Sequence, residues 1–512
     1  MQSRLHELSV HLNSLLDSDP AEAVRQARMI DLNAPDRYQL MNLRAAVLVD
    51  GGASTEQKDA IEEAIALFRE LESQFPTVPG VAYNLANGLV AAVGNPPNDQ
   101  SWLDHQERTR GYRAEARRCF WKVTQSLEGN PELKTQSWTN LANQLSSSFR
   151  LGEAHDARLA ALDIDPGNGV AAYAAARDLL WLYDQGGCSD LTRVEAAMLA
   201  KIARHHQVRV ALYAGAAAAE QIAAFADQFD DPPPRPLHID PFIGWIERER
   251  LTLAPVVELV DPNLGKVDWL MLPGILERAS DTRGFPPPVF AMFNVLKSDF
   301  ILARDLAWRA LDEDVWPATG RFADTLDYAK YGTDMSAIIL AHRTALDLLD
   351  KVAVTANHYF ELGQAPDKVH FGKLWRGSPD KATGLRPLAP GVEKAIRDGA
   401  SALYGLVELA EDYDSSAGIL RSQKNLRNAG THRFVVLHDL GDPSHSRQAP
   451  EIEHHSLKTF THEAMRALRV ARSAIQTLAL AITQHERGMA ERQNGLFGSL
   501  TVPDHDWIRG RD

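Results

Sequence analysis

Apolar residues recur along most of this chain at the three- and four-residue spacing of an α-helix, and rarely at the two-residue spacing of a strand. Leu346, Leu349, Ala353, Ala356 and Phe360 form one long stripe. Leu457, Phe460, Ala464, Ala471, Ile475, Leu478 and Ile482 form another. The best run compatible with a strand, Phe434 to Leu437, is only four residues long. The pattern predicts an all-α protein.

The first half repeats itself weakly. Ala64, Phe68 and Leu71 lead to Pro76; Trp138, Leu141, Ala142, Leu145, Ala154 and Ala161 lead to Pro166. A third copy, with Leu85, Ala86, Leu89, Ala116, Phe120 and Val123 before Pro131, contains an insertion from Gly94 to Arg110. Small residues let two helices approach closely, large ones fill the space between hairpins, and the proline ends the second helix because it lacks an N–H. The Trp138 to Pro166 copy resembles a tetratricopeptide repeat. A helical solenoid with a partner-binding groove is expected over 1–170.

Residues 171–330 read as helical but irregular. Pro232–Pro234, Pro236 and Pro286–Pro288 mark boundaries, and the Ala-rich stretch from Ala211 to Ala226 reads as one tightly packed helix. A compact helical bundle is expected over 331–490, with a frayed tail over 491–512. Within the bundle, a loop from Gly377 to Gly391 precedes a helix from Val392 to Tyr413, and a third helix begins near Ser415.

Charge narrows the function. Residues 331–512 hold 22 basic and 22 acidic side chains, so residues 1–330 carry the whole net charge of −14. The acidic half suits phosphate backbones poorly, which directs any nucleic-acid chemistry to the C-terminal part. Two distant cysteines, Cys119 and Cys188, support neither a disulfide framework nor a thiolate metal site. The longest apolar run, Val210 to Ala219, is too short for a membrane span, and the N-terminus has no signal-peptide pattern, so a cytoplasmic protein is expected.

The segment Ser415 to Arg433, SSAGILRSQKNLRNAGTHR, contains Arg421, Lys424, Arg427 and Arg433 and no acid; Glu411, Asp412 and Asp414 precede it. Inside it stands Arg427-Asn428-Ala429-Gly430-Thr431-His432. Five helical residues advance about 500°, which puts Arg427 and His432 about 140° apart. Gly430 is expected to break the helix and let His432 swing back.

This part of the chain resembles the HEPN superfamily, and more narrowly a bacterial HEPN family that follows tetratricopeptide repeats. The matching pieces are PPPVFAMFNVLKSDFILARDL (286–306), LDYAKYG (326–332), ALDLLDKVAVTANHYF (345–360) and LRNAGTHR (426–433). The resemblance implies a helical bundle with an Arg-x4–6-His motif and a polar residue after the arginine. It also implies metal-independent cleavage of RNA, dimerisation through the bundle, and a role as a toxin or in defence against phage. No cofactor, metal or membrane is implied.

The chemistry is consistent with that resemblance. His432 would move the proton of the 2′-OH or of the leaving oxygen, and Arg427 would balance charge on the phosphorane. Asn428 would orient one of them, and Lys424, Arg421 and Arg433 would hold flanking phosphates. The alternatives are structural: His432 as a helix cap, Arg427 paired with Asp439 or Asp350, the other bases as solvated charges. His438, His445, His454, His455 and His462, with Glu451 and Glu453, read as a solvated loop and helix start without metal-ligand spacing. A non-catalytic protein scaffold, or a bundle that binds a nucleotide without cleaving it, is the rival function.

Overall fold

The computed structural model describes all residues except 1, 34–35, 187–188, 236–239, 255–258, 260–266, 279–285, 312–319, 382–383, 493–496 and 501–512. Cys188 and Pro236 fall outside the described residues. Among the rest there are nineteen α-helices and five short strands, so the protein is all-α in class. No described helix is long and apolar enough to cross a membrane. The chain divides into two compact units: residues 1–144 with 157–171, and residues 145–156 with 172–512.

The first unit is a series of helices that pack on their sequence neighbours: α1 (Gln2–Ser18), α2 (Pro20–Arg28), α3 (Arg37–Ser54), α4 (Lys58–Gln74), α5 (Pro79–Val93) and α6 (Trp102–Gln125). Local chemistry sets their ends. Asp19 accepts the Glu22 N–H at 3.1 Å with Pro20 in the first turn of α2, and Ser101 accepts the Asp104 N–H at 3.2 Å to start α6. Ala64, Phe68, Leu71, Leu85, Ala86, Leu89, Ala116, Phe120 and Val123 are all buried, as the repeat pattern requires. The expected insertion forms a loop after Gly94 and then extra turns of α6, which therefore reaches 24 residues. Helices α7 (Pro131–Ser146) and α8 (Leu151–Ile164) follow, the latter stopping just before Pro166.

Beyond residues 145–156, the second unit resumes within α9 (Gly169–Asp184) and continues through α10 (Asp190–His205), α11 (Gln207–Ala214), α12 (Ala216–Ala226) and α13 (Pro241–Arg248). The Ala-rich stretch is two helices rather than one. Gly215, at φ +87°, reverses the chain between them, and Leu212 and Tyr213 are exposed. Alanine at helical spacing gives the same pattern on a free face as on a packed one.

The bundle consists of α14 (Pro288–Leu311), α15 (Thr333–Tyr359), α16 (Pro390–Arg397), α17 (Leu403–Asp414), α18 (Arg421–His432) and α19 (Leu457–Arg492). It takes in residues before 331, because α14 packs along α15 and buries Phe293, Leu296, Phe300 and Ala303. Helix α19 packs against α14, α15 and α17, and its Phe460, Ala464, Ala471, Ile475, Leu478 and Ile482 are buried. The helix expected from Val392 to Tyr413 breaks at Gly399, whose φ is +111°. The helix expected near Ser415 starts at Arg421, because the Leu420 N–H turns back to the Asp412 carbonyl at 3.0 Å.

Five strands complete the unit: β1 (Ile275–Arg278), β2 (Ala329–Lys330), β3 (Phe434–His438), β4 (Ile452–Ser456) and β5 (Phe497–Leu500). β1 and β5 pair antiparallel, while β2, β3 and β4 form a second sheet in that order. In it β2 runs antiparallel to β3, and β3 runs parallel to β4, with Val436 opposite His454. The frayed tail expected over 491–512 is corrected in part: α19 continues to Arg492, and Phe497–Leu500 is paired.

Candidate functional site

Helix α18 is short and polar, and it is held by specific contacts more than by apolar burial. It lies against α15 and α17 and buries only Gln423 and Ala429. Arg427 is the main tie. Its Nε donates to Asp347 Oδ1 at 2.8 Å and its Nη2 to Asp350 Oδ2 at 2.7 Å, both on α15. Its Nη1 reaches the Tyr413 hydroxyl of α17 at 3.4 Å. Burial opposes the charge of this guanidinium; Tyr413 and Asp350 outweigh burial, so its proton is held above the ordinary arginine range. Of the two structural partners expected for Arg427, Asp350 is used and Asp439 is not. Asp347, not foreseen, joins it.

Gly430 does not break the helix. Regular structure runs through it to His432, and the Arg433 N–H closes the end on the Ala429 carbonyl at 2.8 Å. The expected swing of His432 toward Arg427 is therefore corrected: the two stay about 140° apart on one helix. His432 instead shares an exposed face with Asn428, four residues earlier, and Asn425, seven earlier. Among the described residues it has no hydrogen-bond or ion-pair partner.

The flanking bases are all engaged. Lys424 pairs with Asp414, and Arg421 Nη1 donates to the Asp414 carbonyl at 3.0 Å. Arg433 pairs with Glu453 of β4 at 2.5 Å. Of the acids that precede the helix, Asp414 alone is shown pairing with its first turns; Asp412 pairs with Arg150 and Glu411 with Arg376. Residues 280–485 match the LA2681-like HEPN family. The match covers less than half of the chain and takes in every residue of this site; it supports a HEPN-superfamily domain here. A search of curated proteins found no match to the chain.

Two further features of the HEPN-like segment carried no sequence signal. His342, on α15, is buried, and its Nε2 lies 2.9 Å from Gln423 Oε1 of α18. Gln423 in turn donates to the Glu463 carbonyl at 3.1 Å. Burial pushes the His342 imidazole down to about 4, so it is neutral near pH 7.

The other feature corrects the histidine-rich loop. His438 ends β3 and is only 2% exposed, and half-buried His454 lies on β4. The rings meet, with His438 Nε2 2.9 Å from His454 Nδ1. Asp327 completes the group, its carboxyl held down at about 2, above all by the Thr325 hydroxyl. Pairing between strands sixteen residues apart left no spacing to read. His445 and His462 are exposed, as expected of solvated residues, and His455 lies 3.3 Å from Glu453.

Proposed function

We propose that the HEPN-like domain is a metal-independent endoribonuclease in which His432 is the acid/base. The observation that carries this reading is the position of His432: exposed, unpartnered, and beside Asn428 on the helix that the HEPN match includes. Imidazole is the side chain suited to accepting and donating protons near neutrality. The 2′-OH of the substrate attacks the adjacent phosphorus, and the 5′-oxygen of the next nucleotide leaves. His432 takes or returns the proton, so the products carry a 2′,3′-cyclic phosphate and a free 5′-OH. Asn428 orients the imidazole or a phosphate oxygen.

One copy of α18 presents His432 and Arg427 on different faces. The complete site on this reading forms between two copies related by a twofold axis, each adding its own α18. Lys424, Arg421 and Arg433 become phosphate contacts if RNA exchanges with their carboxylate partners. The helices of the first unit act as tetratricopeptide-type repeats that hold a protein or peptide and regulate cleavage, as in a toxin or an anti-phage effector.

A second reading has its own observation. Arg427 is already satisfied by Asp347 and Asp350, as a residue that only fastens α18 would be. A non-catalytic domain, binding a nucleotide or a protein, accounts for that pairing equally well. Incubation of the full chain with total RNA, with and without His432→Ala, separates the two. Wild-type cleavage that the variant loses supports the nuclease; intact RNA in both supports the second reading. Sedimentation at micromolar concentration tests the dimer, which an active monomer would rule out.

A further inference from the structure

We infer that Asp327, His438 and His454 form a binding site for a divalent first-row transition-metal ion that fastens the β2–β3–β4 sheet. Each residue offers one ligand atom, and these atoms lie within 4.8 Å of one another. Asp327 stands in the turn before β2, His438 at the end of β3, and His454 within β4, so the ligands come from two strands of the sheet and the turn that leads into the third. The inference is independent of the ribonuclease reading, and no step of that chemistry runs through the ion.

The hydrogen bonds prepare the ring nitrogens. His438 Nδ1 lies 3.0 Å from the Asp327 main-chain carbonyl, which can only accept. Nδ1 of neutral His438 therefore carries the proton and Nε2 presents its lone pair. A backbone carbonyl on the far nitrogen is the usual way a ligating histidine is oriented. With the site empty, His454 Nδ1 must donate to that lone pair, which strands His454 Nε2 as a buried atom with no partner. Metal binding needs the other tautomer of His454: the proton moves from Nδ1 to Nε2, and the freed Nδ1 lone pair joins His438 Nε2 in coordinating the ion.

The spacing selects a geometry. Two nitrogens 2.9 Å apart subtend roughly 90° at an ion about 2.0–2.1 Å from each, whereas a tetrahedral site would need about 3.3 Å between them. Nitrogens at about 90° suit a six-coordinate ion, with Asp327 as the third protein ligand and the remaining positions left to water. Glu453 and His455 stay out because strand alternation turns them to the opposite face from His454. β2 pairs over only two residues, Ala329 and Lys330. A sheet that small gains much from a cross-link, and β3 begins two residues after His432.

The test uses the untagged full chain, stripped with chelator and titrated with Ni²⁺ and Co²⁺. Wild type is expected to bind one equivalent per chain, melt at higher temperature when loaded, and give the weak visible absorption of six-coordinate Co²⁺. His454→Ala and Asp327→Asn should lose the equivalent while keeping the wild-type helical circular dichroism. His445→Ala and His462→Ala should keep it. Absence of binding in wild type, or retention by either ligand variant, would overturn the site; intense tetrahedral Co²⁺ bands would overturn the assigned geometry.

Discussion

Arg427 and His432 stand five residues apart, yet their environments predict opposite responses to the same substitution. His432→Ala removes an exposed ring with no partner, so its melting temperature should stay near wild type, within about 0.5 kcal/mol of stability. Arg427→Ala leaves Asp347 and Asp350 without their shared cation and should cost about 1–3 kcal/mol, read from chemical denaturation. The sequence motif suggests that both changes leave stability alone, and the carboxylates on α15 alter that for the arginine. Equal stability losses in the two variants would mean that these environments are misassigned. His342 adds a pH dependence. Its folded pKa, about 4, lies below the ordinary 6.5, so the unfolded chain binds the proton more readily. Stability is complete above pH 6.5 and should fall, by up to about 3 kcal/mol, as pH drops toward 4. His342→Asn should flatten that part of the curve.

At the scale of elements, the helices were legible because each long one buries a stripe at helical spacing: Leu346, Leu349, Ala353 and Ala356 on α15, Phe460 to Ile482 on α19. What was not legible depends on contacts distant in sequence. β3 has four apolar residues and looks marginal alone; β4, which pairs with it, reads IEHHS and looks like loop. Their union buries His438, and no local pattern contains that fact. Gly430 was misread for a related reason, since glycine permits a break without requiring one. Its added Cβ would meet only Ile339 Cγ2, at 3.8 Å. Gly430→Ala is therefore predicted to stabilise the protein by about 0.5–1 kcal/mol in urea unfolding and to leave any RNA cleavage intact. A loss of activity with retained fold would restore the hinge.

At the scale of the whole molecule, the boundary between repeats and the C-terminal part runs through a helix hairpin rather than beside it. Residues 145–156 belong to the second unit, where buried Arg150 pairs with Asp412 at 2.5 Å and Glu153 at 2.7 Å. Deleting residues 1–170, the cut the repeat pattern suggests, removes Arg150 and with it the buried ion pair to Asp412. That truncation should be unstable, by about 3–5 kcal/mol in Arg150→Ala of the full chain, whereas deletion of 1–144 keeps the pair. Circular dichroism melts of these three variants check the point. On the proposed reading His432 cleaves RNA by proton transfer, with no metal in the chemical step. The measurement that decides it is digestion of an RNA by the purified chain in EDTA, with a matched substrate carrying 2′-deoxyribose at the cut site. The predicted result is a 2′,3′-cyclic phosphate product, no cut in the deoxy substrate, and a loss of about 10²–10⁴-fold in His432→Ala. Cleavage of the deoxy substrate, or full activity in His432→Ala, would contradict it.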